Sequence, residues 1–156
     1  PNMTIRKRLD ALQLSLPAPR KPAFSYQAVV VDQGLAWVSG QLPWQGDSMD
    51  LVHTGSLGAA VDLDGGMACA RSCVLNGLSV LEDALGDLSH VERIIKLVGF
   101  VASAPGFSEQ PAVIDAASGL LIDVFGESGR HARSAVGVAE LPRGAPVEIE
   151  LVVRCN

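Results

Sequence analysis

At 156 residues, 48% of them hydrophobic and 19% charged, the chain is long enough to bury a core and too apolar to remain disordered. A net charge of −5 argues against a nucleic-acid footprint, and no apolar run approaches the roughly 20 residues of a membrane span. Three cysteines, an odd count, fit free thiols, and the opening PNMTIRKRL lacks the apolar segment of a secretory signal; both lead to an expected cytoplasmic location, with Met3 as the native start.

Residues 4–13 carry Ile5, Leu9 and Leu12 at helical spacing, which predicts a short amphipathic helix with the basic run IRKR (5–8) on its exposed face. The proline-rich SLPAPRKPAF follows as an extended tether, so the chain divides into a helix-and-tether segment, 1–20, and one domain, 21–156. YQAVVVD and LAWVSGQ predict two strands around a Gln33-Gly34 turn, both apolar on both faces. Residues 42–64 are irregular, and a loop of that length is usually functional or packed against a partner.

A helix is expected from about Gly66, with Asp64 as its N-cap, an apolar face of Met67, Ala70, Val74, Leu78, Leu81 and Leu85, and Gly86 at its end. Residues 91–103 read as an apolar, β-branched strand. Pro111 suits the first turn of a second helix, whose buried face is Val113, Ala117, Leu120, Leu121 and Val124 and which Gly126 closes. Two final strands, 134–140 and 147–154, flank the turn LPRGAP. The order β-β-α-β-α-β-β predicts an α+β fold in which two helices cover one sheet face. Nothing in the chain covers the other face, which predicts an oligomer.

In the last strand Val147, Ile149, Leu151 and Val153 share one face, and Glu148, Glu150 and Arg154 share the other. Arg133, just before the penultimate strand, is expected beside Glu148. The pair reads either as an inter-strand salt bridge or as a carboxylate-binding fork next to an acid/base residue, and the residues alone leave both open. Cys69 and Cys73 stand one helical turn apart, but no further ligand lies nearby, so they are expected to pack in the core. His53 and His90 point to no chemistry; His131, two residues from Arg133, either lines a cleft or caps a loop. No nucleophile-elbow, P-loop or dinucleotide motif occurs.

VSGQLP (38–43), GDLSHVERIIKLVGFV (86–101) and HARSAVGVAELPRGAPVEIE (131–150) together resemble the RidA family, the reactive intermediate deaminases also called YjgF, over nearly all of residues 26–153. The loop LVHTGSLG, the phrase GFVASAPGFSEQP and the N-terminal helix are similar to its subgroup of YjgF/chorismate-mutase-like putative endoribonucleases. The resemblance implies a chorismate-mutase-like fold of the bacillus type: a mixed sheet with two helices on one face, assembled as a barrel-like homotrimer with clefts between subunits. It also implies hydrolysis of enamines and imines to keto acids and ammonia, with a small-molecule carboxylate substrate, no metal and no cofactor; the charge balance and the lack of a long apolar run are what predict no nucleic-acid or membrane partner. The family's carboxylate-binding arginine falls on Arg133 and its water-positioning glutamate on Glu148. Its substrate-packing tyrosine falls on Tyr26 and its Ser-Gly pair on Ser39 and Gly40. Ala135 stands where a cysteine is common, and Asp115 where the family has a helix asparagine; a second carboxylate there would repel the substrate's own. The alternative is a non-catalytic binder of carboxylate metabolites. Endoribonuclease action is disfavoured by the acidic balance and the lack of basic-aromatic interleaving.

Overall fold

The structure, a computed structural model, describes residues 4–156; the expectation that Met3 is the native start concerns residues outside these. Helix α1 (Ile5–Ala11) begins at Thr4, whose hydroxyl accepts a hydrogen bond from the Lys7 amide. β1 (Val29–Asp32) and β2 (Leu35–Gln41) pair antiparallel around Gln33 (φ 50°) and Gly34 (φ 78°). Two consecutive left-handed residues are what a tight type I′ hairpin requires.

Helix α2 (Leu63–Leu85) follows, then β3 (Val91–Ala102), α3 (Gln110–Phe125), β4 (Ala132–Val138) and β5 (Val147–Cys155). The strands form one sheet in the order β1-β2-β5-β3-β4, antiparallel except for β3 and β4. That parallel pair follows from the crossover through α3, because a parallel neighbour cannot be reached by a short turn. The fold is thus a mixed-sheet α+β layer pair, as the element order predicts.

Two of the differences from the expected boundaries bear on the site and its approach. Asp62, rather than Asp64, caps α2: its carboxylate accepts from the Gly65 amide at 2.7 Å, and Asp64 sits in the first turn. The two aspartates, two residues apart, carry the same sequence signal; which one caps is decided by where the loop enters. β4 begins at Ala132, because its parallel register sets Ala132 opposite Lys96, and so Arg133 lies within the strand rather than before it.

The core lies between α2, α3 and the helix-side face of the sheet. Val74, Leu78, Leu81, Ala117, Leu121, Val147 and Val153 are fully buried there. The opposite sheet face is open: Val30 is 49% exposed, Trp37 52% and Val136 43%. Cys69 and Cys73 are buried core residues, and desolvation pushes the Cys69 thiol up to about 11 and that of Cys73 well above its ordinary value.

The tether is pinned across the molecule. Leu14 and Leu16 pack on the core, Ser79 donates to the Pro17 carbonyl at 2.6 Å, and the Ala18 amide donates to Asp47 at 2.8 Å. The 42–62 segment continues the sheet's end through paired backbone bonds, Leu57 N–H to Ala102 and Ala104 N–H to Leu57, with Leu57 fully buried. No described helix is long and apolar enough to cross a membrane.

Candidate active site

Glu148 projects from β5 onto the open sheet face, as its alternation with buried Val147 and Ile149 demands. Its carboxyl group occupies the space beside Gly40 of β2; a Cβ there would lie within 2.9 Å of Glu148 Cδ, so the bare glycine is what admits the carboxylate. Glu148 is half-buried and forms no ion pair among the described residues. Burial first, and then the like charge of Glu150 on the same face, holds its pKa above the usual glutamate value.

Glu148 and Gly40 form one wall of a cavity of about 580 Å³. Tyr26 and Trp44 line it, and so do Arg20 of the tether and Arg143 of the LPRGAP turn. Tyr26 and Gly40 therefore share a cavity with Glu148. Ser39 does not: it borders a neighbouring hollow of about 240 Å³ with Trp37 and Glu150, and its hydroxyl donates to the Gln27 carbonyl at 2.6 Å, holding the chain that leads from Tyr26 into β1.

Arg133 lies elsewhere, and here the expected adjacency fails. Its register neighbours are Leu97 of β3 and Leu151 of β5, both buried on the helix side, whereas Glu148 aligns with Phe100 and Val136. Within one chain the two residues are on opposite sheet faces, with β3 between their strands. The short turn joining β4 and β5 suggests a hairpin, but the parallel insertion of β3 between them removes it. No Arg133–Glu148 salt bridge forms.

Arg133 instead meets α3. Its Nη1 donates to Asp115 Oδ1 and to Ser118 Oγ, each at 3.3 Å. Ser118 is buried, and its Oγ lies 2.9 Å from His131 Nε2, while His131 Nδ1 lies 2.6 Å from the Gly129 carbonyl. A carbonyl only accepts, so Nδ1 carries a proton and, in the neutral ring, Nε2 accepts from the Ser118 hydroxyl. Ser118 is thereby left to accept from Arg133, and His131 acts as an orienting group in the loop before β4. Ala135, two residues on, shares the face of Arg133 and is half-buried opposite Gly99. No group of three or more His, Cys, Asp or Glu among the described residues is arranged to hold a metal.

Sequence reasoning missed Arg20, Trp44 and Arg143, which the cavity brings together from three separate segments. The only hint was a basic pair in the tether and an aromatic residue in the long loop. It also missed Ser118, which lies in the middle of α3 with no sequence signal to mark it.

Two helices on a mixed five-stranded sheet, with the far face open and a carboxylate-lined cavity at its end, make up the chorismate-mutase-like class of α+β proteins. The pattern of the family described as "YjgF/chorismate mutase-like, putative endoribonuclease" matches residues 6–149, and the chain belongs to that YjgF/RidA family. It is 45% identical over 153 residues to Protein TCP17 of Trypanosoma cruzi, covering 97% of this chain and 94% of that one. A protein with unknown function from Agrobacterium tumefaciens is similar in structure, with a TM-score of 0.90 and 44% identity over 97% of this chain and 92% of that one. RidA from an Antarctic Psychrobacter gives a TM-score of 0.61 and 26% identity over 88% of this chain and 93% of that one.

Proposed function

We propose that the protein hydrolyses reactive imino acids to keto acids and ammonia, in clefts formed between the subunits of a homotrimer. One observation carries the reading: an unpaired, half-buried glutamate of raised pKa, seated over a bare glycine, faces a cavity large enough for a small molecule. Such a carboxylate is suited to hold a water and take its proton at near-neutral pH. The imine carbon is already electrophilic, so orientation of substrate and water supplies most of what the reaction needs. Water adds to the C=N carbon, the nitrogen collects protons, and the C–N bond breaks to leave a carbonyl and ammonia.

An imino acid also presents a planar carboxylate, which a guanidinium fork binds well. Arg133 is the family's residue for this, yet it lies on the face away from Glu148 of its own chain. The reading therefore needs Arg133 of one subunit to meet Glu148 of the next, and the open apolar face of the sheet supports such an assembly. Asp115, 3.3 Å from Arg133, favours a second reading, since its carboxylate competes for the fork. On that reading the cleft binds a carboxylate metabolite without turning it over.

Ammonia release from imino acids generated in situ by an amino acid oxidase tests the first reading. Release accelerated by the wild-type protein and lowered by about 10²–10⁴-fold in Glu148→Gln is expected. A Glu148→Gln protein as fast as wild type would remove the catalytic role.

A further inference from the structure

The cavity is larger than a short imino acid requires. Its roughly 580 Å³ would hold on the order of 20 waters at about 30 Å³ each, far more than a three-carbon substrate displaces. Its charge is also unusual for this chain. Overall the protein has 12 Lys and Arg against 17 Asp and Glu, yet three cations, Arg20, Lys21 and Arg143, line this cavity with Glu148 as the one carboxylate.

The three cations are not equivalent. Arg20 stacks over Trp44, 4.5 Å from the ring centroid, and its Nη2 donates to the carbonyls of Gly46 and Ser48, so it is committed to holding the 44–51 loop. Arg143 lies 5.2 Å from the same ring and makes no hydrogen bond or ion pair among the described residues. Lys21 likewise has no ion-pair partner among them. Arg143 also sits at φ 59°, ψ 19°, a left-handed conformation uncommon for a residue with a side chain. The turn thus holds an unneutralised guanidinium against Trp44 at the rim of a cavity whose acid, Glu148, pairs with neither cation.

We propose that the cleft selects imino acids whose side chain ends in a second carboxylate, the imines of acidic amino acids, with Arg143 and Lys21 binding that distal group and Trp44 bordering the chain between. The inference rests on the imine reading for the placing of the reacting carbon near Glu148. It adds a specificity that the reaction itself does not need: hydrolysis proceeds at one end of the substrate, and discrimination at the other.

Binding and turnover are measured separately. In calorimetry, 2-oxoglutarate should bind the wild-type protein on the order of tenfold or more tightly than 2-oxobutyrate, as a charge-assisted contact predicts. The Arg143→Ala/Lys21→Ala double variant should lose that preference while still binding 2-oxobutyrate, and Arg143→Lys should keep part of it. Glu148→Gln should retain the preference. In turnover, the imine of glutamate should show a higher kcat/KM than the neutral imine of norvaline, and the double variant should level the two. Equal affinities in the wild type, or a preference that survives the double substitution, would overturn the proposal. Hydrolysis of both imines without discrimination would sink it and leave the deaminase reading standing. Selective binding of 2-oxoglutarate with no imine turned over would do the reverse.

Discussion

Glu148 owes its character to three neighbours: Gly40, which makes room for it, the apolar sheet that desolvates it, and Glu150, which repels its charge. In the proposed reaction it is the base and acts only when ionised, so kcat/KM should fall as pH drops through its raised pKa. Removing the like charge makes ionisation easier; Glu150→Gln should therefore shift this acidic limb to lower pH, and Glu148→Gln should abolish it. A pH–rate profile unmoved by Glu150→Gln would mean that another group titrates. Arg133→Ala should raise KM steeply, whereas Ser118→Ala, which only loosens the guanidinium, should raise it modestly with kcat nearly unchanged. Steady-state kinetics of both variants separate anchor from support. At this scale the sequence offered residue types and a family likeness, and alternation along β5 correctly put Glu148 on the open face. It could not place Arg133, because the face of that residue depends on a strand inserted from elsewhere in the chain.

The helices show what local pattern can and cannot settle. The apolar stripe of α2 from Ala70 to Leu81 is buried along its length, and Gly86 and Gly126 close α2 and α3 in left-handed conformations, as their periodicity and end signals predict. Such signals are legible because they act within a few residues. The N-cap of α2 was misread by two residues, since Asp62 and Asp64 are equally good caps until the loop's path is known. Asp62→Ala should therefore destabilise the protein by roughly 0.5–2 kcal/mol, and Asp64→Ala by clearly less. Thermal melts of the two single variants compare them directly, and equal losses would contradict the observed cap. The 42–62 loop was unreadable for the opposite reason: its hydrogen bonds run to residues some 45 positions away, as Leu57 does to Ala102.

On the scale of the whole molecule the dominant feature is asymmetry, with one sheet face under two helices and the other bare. Val30, Trp37 and Val136 expose apolar surface that a chain of this size rarely leaves in water. Light scattering of the wild type should give about three times the 16.3 kDa chain mass, and Trp37→Asp, which places a charge on that face, should shift the mass toward a single chain. A wild-type monomer at micromolar concentration would remove the shared cleft. Circular dichroism of the Trp37→Asp chain should stay native-like, because Trp37 contributes nothing to the core beneath the helices.

Because Arg133 and Glu148 point away from one another across the sheet, damage to one need not share a cleft with damage to the other. Two impaired proteins, Arg133→Ala and Glu148→Gln, unfolded together and refolded at equal ratio should complement each other. Random assembly into rings of three would give about a quarter of the clefts an intact arginine from one chain and an intact glutamate from its neighbour. Activity should reappear near that fraction of wild type, well above that of either parent alone. A mixture that stays silent would show that each chain must supply both residues to its own cleft.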